Sequence, residues 1–231
     1  MHCVKRLTAA VAMALAPALA SAVPYHYVDW QTINAAGGTA SGVITLPDLS
    51  TVNVGFQAIS PGGAPGSFLF GQSGCGTNYW SPSAPYISAQ VDNAPPNCEL
   101  LALVGGTNQQ YIVTLSEPIK DPIMAIVSLG NPGLNTTYDF DSPFDIVSEG
   151  VGFWGGHATD ALEELAGDIL RGNEGHGTIQ FIGTFPTFSW TAPTPENWHG
   201  FTFGIRTTER LEPTDPTVVP VPGTLALLGL G

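Results

Sequence analysis

The chain has 231 residues, of which only 11 % are charged, and its six Lys and Arg stand against 19 Asp and Glu for a formal net charge of −13. An acidic balance without a basic cluster excludes nucleic acid as a partner, because phosphate binding requires grouped Lys and Arg. The length suits one large domain that buries most of its apolar surface, and an acidic, hydroxyl-rich surface suits solubility outside the cell or contact with calcium.

Lys5 and Arg6 precede an uncharged stretch, 7–22, that closes on Ala20-Ser21-Ala22. Charged, apolar and small-residue regions in that order make a secretory signal peptide, so residues 1–22 are expected to be removed and the chain exported. Pro17 argues against a buried helix there. Further on, Val52, Val54, Phe56 and Ala58 alternate with Asn53, Gly55 and Gln57, which predicts a half-buried strand. Cys3 leaves with the signal peptide, so the exported chain keeps Cys75 and Cys98, an even pair in an oxidising compartment, where a disulfide is the default. Closing the Gly- and Pro-rich stretch between them stabilises by about 3 kcal/mol. The spacing fits neither a zinc site nor a C-x-x-C redox motif. Ser73, in GQSGCG, lacks the G-x-S-x-G elbow and reads as a loop serine.

Tyr111, Val113 and Leu115 alternate again, and the continuous apolar run Ile123–Leu129 (IMAIVSL) suits a central strand. In DFDSPFD, Asp139, Asp141 and Asp145 could converge on calcium, which prefers several hard oxygen ligands, although Pro143 excludes an EF-hand loop. The competing reading is a solvated acidic strand edge with Tyr138 and Phe140 on the packed side. TDALEELAGDIL predicts one short helix: Leu162, Leu165, Ala166 and Ile169 fall at helical spacing, and Asp160 with Glu163 makes a capping box. Gly167 and the following LRGNEG keep open a loop leading into an edge strand. Ile179, Phe181, Gly183 and Phe185 predict a further strand, Phe188 and Trp190 another, and Phe201, Phe203 and Ile205 a last one, with PGGAPG, NAPPN and LGNPG as punctuation. The fold class expected over 23–211 is all-β, an antiparallel two-sheet sandwich or jelly roll with at most one short helix.

Candidate chemistry is scattered along this chain. His26, His157, His176 and His199 lie far apart with no H-E-x-x-H, so a zinc site would have to be assembled by the fold, and His176 in EGHG and His199 in WHG read as turn or sheet-edge residues. Glu163, Glu164, Asp168 and Glu174 could supply a glycosidase pair, which needs two carboxyls a few ångströms apart. Trp30, Trp80, Trp154, Trp190 and Trp198 invite a carbohydrate-binding reading. Trp190 continues an apolar face with Phe188 and belongs to the core. Trp80, beside Tyr79 and near Tyr86, and Trp154, in FWGGH, are the candidates for ligand contact, against simple packing.

After Ile205 the chain runs into RTTERLEPTDPTVVPVPG, whose prolines at 213, 216, 220 and 222 favour an extended linker over 212–222. The apolar run 225–231 that follows is seven residues long, whereas a helix crossing a bilayer needs about 20. Signal peptide, β-rich domain, proline-rich linker and the ending VPVPGTLALLGLG together resemble the bacterial PEP-CTERM proteins, whose sorting signal has a Pro-Glu-Pro core, small residues, an apolar helix and an arginine cluster. Pro220 and Pro222 match the two prolines, Gly223 and Thr224 the small residues, and 225–231 the start of the helix. Val221 stands where the family has Glu, and the arginines are absent, so 220–231 resembles a truncated signal and the reading frame is expected to continue past Gly231. GGTASGVITL, GNEGHGTIQFIG and SWTAPTPENWHGFTFGI resemble strand phrases of the domains that precede such signals. The resemblance implies export by a Gram-negative bacterium, recognition by an exosortase, transient inner-membrane anchoring, and a place at the cell surface or in an exopolysaccharide or biofilm matrix. It implies no particular activity. The function expected is a structural or binding protein without catalysis and without a cofactor other than calcium; the alternative is a carbohydrate-active hydrolase or lyase, or a lectin-like module, on the same scaffold.

Overall fold

The period-two pattern becomes strands. In the computed structural model, which describes residues 24–206, β4 (Thr51–Ile59) buries Val52, Val54, Phe56 and Ala58 and turns Thr51, Asn53 and Gln57 to solvent. The expected signal peptide (1–22), the linker (212–222) and the sorting signal (220–231) lie outside the described residues. Fifteen strands, numbered in chain order, form two antiparallel sheets among the described residues. One sheet runs β10 (Phe144–Glu149), β13 (Gly175–Phe181), β8 (Ile123–Leu129), β15 (His199–Arg206), β6 (Glu99–Leu103) and β5 (Phe70–Ser73), with the short β1 (Tyr25–Tyr27) also paired to β15. The other runs β11 (Leu162–Leu165), β12 (Ile169–Gly172), β9 (Thr136–Phe140), β14 (Thr184–Thr191), β7 (Gln110–Lys120), β4, β3 (Thr39–Thr45) and β2 (Asp29–Asn34).

Each sheet turns one apolar face to the other. Phe56, Val113, Phe188 and Trp190 from the second sheet share a core with Met124, Ile126, Phe201 and Phe203 from the first. Rings meet across the interface, with centroids of Trp190 and Phe201 5.1 Å apart and those of Phe188 and Phe203 5.2 Å apart. The fold is therefore a β-sandwich, as expected from the alternation. β8 is buried at all its positions, because the first sheet is covered on its outer face too. The connection 74–98 lies over it, packing Trp80 and Tyr86 on Leu100, Ala102, Ala125 and Val127. A disulfide joins Cys75 to Cys98 across a separation of 23 residues and closes that connection at its base.

Two expectations are corrected. The segment read as a helix is the hairpin β11–β12, in which Leu162 pairs with Gly172 and Leu165 with Ile169. Gly167 and Asp168 both take positive φ (86° and 60°), and consecutive left-handed residues end a helix but close a three-residue hairpin loop. Asp160, expected to cap the helix, also has positive φ. The strand expected through Ile179 and Phe185 is two strands in different sheets, because the chain leaves β13 after Phe181 and turns at Gly183 (φ 135°) into β14.

Antiparallel register gathers four connections at one end of the first sheet. Glu149 at the end of β10 faces Gly177, Leu129 at the end of β8 faces Gly175, and Val127 faces Gly200 near the start of β15. The loops after β10 and β8 and those before β13 and β15 therefore open on the same side, which is where a sandwich places its binding surfaces.

Candidate functional site

Those four loops enclose a cleft of about 460 Å³. Its floor is set by two non-glycine residues with left-handed backbones, Ser128 (φ 59°) and Glu174 (φ 53°). Such conformations cost about 1–3 kcal/mol each and persist only where the surroundings enforce them. Here Val127 and Ser128 bulge opposite His176, between the pairs Ile126–Gly177 and Leu129–Gly175, and a bulge re-aims the side chain that it carries. Ser128 Oγ donates to Glu174 Oε1 at 2.5 Å. The loop 150–156 packs on the same turn: a side chain at Gly156 would lie 2.4 Å from the Glu174 carbonyl oxygen, and one at Gly152 2.2 Å from the His176 ring.

Behind each of two cleft carboxylates stands a fully buried imidazole. His176 Nε2 lies 3.6 Å from Glu174 Oε1, and His176 Nδ1 is 3.2 Å from the Tyr86 hydroxyl. Burial pushes the Tyr86 phenol up, so its hydroxyl keeps its hydrogen and can donate to Nδ1. In the tautomer that this donation sets, Nε2 carries the hydrogen and faces the carboxylate. Tyr86 belongs to the connection closed by the disulfide, so that connection positions the site from below. On the other side, His199 Nδ1 is 2.8 Å from Glu196 Oε2, and the Tyr138 ring stands edge-on to His199 at 5.2 Å between centroids. Burial raises the Tyr138 phenol, and the Glu196 charge raises it further. The described hydrogen bonds engage one oxygen of each carboxylate.

Aromatic rings form the wall. Trp154, from the loop after β10, and Trp198, from the loop before β15, meet at 4.5 Å between centroids and 70° between planes. Tyr79 touches both, at 5.6 and 5.2 Å, and Phe153 packs on Trp154 at 4.7 Å. Trp154 is 49 % exposed and Phe153 38 %. Asn131, Pro132 and Asn197 complete the rim.

Of the residues singled out in the sequence, Trp154, Trp198 and Glu174 come together here. Trp80 does not: it is 3 % exposed, its Nε1 donates to the Glu99 carbonyl at 3.1 Å, and its ring packs edge-on against Tyr86. The neighbouring Tyr79 reaches the cleft wall in its place. Glu163, Glu164 and Asp168 lie on the β11–β12 hairpin and do not line the cleft. Asp139 is an exposed residue of β9, in one sheet, and Asp145 an exposed residue of β10, in the other. Asp141 ties β14 in place, accepting from the Ser189 amide at 3.0 Å and from its hydroxyl at 2.7 Å. Among the described residues no group of three or more His, Cys, Asp or Glu is arranged to hold a metal ion.

Glu196 went unmarked in the sequence, and His199 was not tied to a site, although one signal was present. GNEGHG and PENWHG each place a Glu two or three residues before a His and a Gly at the start of a buried strand. Compared with protein families, with curated proteins and with solved structures, the chain matches none.

Proposed function

We propose that the protein is an exported carbohydrate-binding β-sandwich of the cell surface or matrix, with the cleft between Trp154 and Trp198 as its saccharide site. The observation that carries this reading is the pairing of an exposed aromatic wall with a polar floor. Flat rings cover the C–H face of a sugar, while Glu174, Glu196, Asn131 and Asn197 offer acceptors and donors to its hydroxyls. Large aromatic side chains clustered at a cleft mouth are otherwise a solubility cost. Export and surface retention are supported by residues 5–22 and by the prolines at 220 and 222; N-terminal sequencing of the secreted protein should begin at Val23.

The test is a glycan array probed with the purified secreted protein and with a Trp154→Ala, Trp198→Ala double variant. At least one glycan class should be retained by the wild type and lost by the variant. Retention of none, or equal retention by both, refutes the reading. Catalysis is a second reading, favoured by the presence of Glu174 and Glu196 in one cleft, since glycoside cleavage uses two carboxyls about 5–10 Å apart. Turnover in a glycan-cleavage screen, lost on Glu174→Gln, would establish it.

A further inference from the structure

The charge of the cleft narrows its ligand. Glu174 and Glu196 are 9 % and 8 % exposed, yet both line the cavity. Among the described residues no Lys or Arg lines it. The cations of the described chain are engaged elsewhere: Lys120 with Asp121, Arg171 with Glu163, and Arg206 with the Tyr25 ring and the Gln90 carbonyl. Of the imidazoles behind the carboxylates, His199 can donate through Nδ1 to Glu196 Oε2 at 2.8 Å, while His176 Nε2 stands 3.6 Å from Glu174 Oε1, beyond hydrogen-bond reach. Two carboxylates largely withdrawn from water therefore sit beneath an aromatic wall, in a protein whose formal net charge, counting them, is −13. A carboxylate removed from water is costly unless it meets a positive partner, and indole faces attract cations through their quadrupole. Floor and wall favour the same ligand.

We infer that the cleft selects a saccharide bearing a free ammonium group, a de-N-acetylated amino sugar, with the sugar ring on Trp154 or Trp198 and the ammonium at Glu174 and Glu196. This rests on the carbohydrate reading above and specifies its ligand class. An N-acetyl group would replace the cation by a neutral amide and leave the carboxylates without a counter-charge. An anionic sugar would be repelled.

The experiment is isothermal titration of the full chain at neutral pH with glucosamine tetramer, N-acetylglucosamine tetramer, a neutral glucose tetramer and spermidine. The amino tetramer should bind at least tenfold more tightly than the other three, and its affinity should fall as salt is raised. Glu196→Gln and Glu174→Gln, each checked for an unchanged circular dichroism spectrum, should each reduce that preference to about twofold or less. Equal binding of the acetylated or neutral tetramer overturns the inference and leaves the carbohydrate reading standing. Spermidine binding as tightly as the amino tetramer overturns the role of the sugar ring and keeps only that of the cation. Absence of binding by all three tetramers overturns the inference, while the carbohydrate reading falls only if the glycan array also retains nothing, and a preference unchanged in both Gln variants places the ammonium elsewhere and overturns the inference.

Discussion

Gly152→Ala should damage the cleft without touching any group in it. A Cβ at this position would stand 2.2 Å from both Cγ and Nδ1 of His176. The imidazole cannot swing aside, being fully buried and held through Nδ1 by Tyr86 at 3.2 Å. The loop must move instead, and it moves as a unit, because the Gly152 and Gly155 backbones bond each other in both directions, at 2.8 and 3.1 Å. That lifts Phe153 and Trp154 away from Trp198. Overpacking of this kind costs about 1–3 kcal/mol, and the stiffer unfolded chain returns roughly 0.4–1 kcal/mol, for a net loss of about 1–2 kcal/mol. At about 2–4 °C per kcal/mol for a domain of this size, Tm should fall by roughly 2–8 °C. Gly150→Ala is the control, since its nearest neighbour would be the Pro85 side chain at an ordinary 3.5 Å, and it should stay within about 0.5 kcal/mol of wild type. Thermal melts and saccharide titrations of both variants decide the matter. Equal melting, with unimpaired affinity in Gly152→Ala, would refute the claim that the loop rests on His176.

Trp80→Ala should cost about 3–5 kcal/mol as a core truncation, while the protein that remains folded binds saccharide with wild-type affinity; a selective loss of binding in urea-free titrations would return Trp80 to the cleft. Cys75→Ser should lower stability by about 3 kcal/mol in denaturant titrations, dithiothreitol should bring the wild type to the same level, and peptide mapping without reductant should recover Cys75 linked to Cys98. Glu99 supplies a pH test: burial pushes its carboxyl up, outweighing the pull of the hydrogen bond that it accepts from the Trp30 amide at 2.7 Å. A raised carboxyl takes up a proton on folding, so its contribution is fully present below the unfolded-state value and is lost as pH rises through the folded-state value. Relative to Glu99→Gln, the wild type should therefore gain stability as pH falls from neutral into the acid range, and a constant difference in urea midpoint across that range would count against it.

Strands and their inward faces were legible because burial on one side writes a period of two into the chain, as in Val52 to Ala58 and Tyr111 to Leu115. Sheet membership was not, since Phe181 and Phe185 continue one alternation while the chain passes between sheets at Gly183. The β11–β12 hairpin misled for a related reason: Leu162, Leu165 and Ile169 satisfy helical spacing, and only the left-handed turn at Gly167 and Asp168 decides against a helix. The site was visible in pieces. Trp154 and Glu174 stood out as residue types, but the pairing of Glu174 with Ser128 depends on register between β8 and β13, 46 residues apart in sequence. Trp80 and Tyr79 are adjacent in a loop without periodicity, and nothing local says which of the two turns to the core.

The most direct test of the central claim is a crystal structure of the full chain with the tightest-binding oligosaccharide from the array. A sugar ring should pack on Trp154 or Trp198 with polar atoms within hydrogen-bond reach of Glu174 or Glu196. A saccharide bound on any other surface, with the cleft unchanged and unfilled, would contradict it.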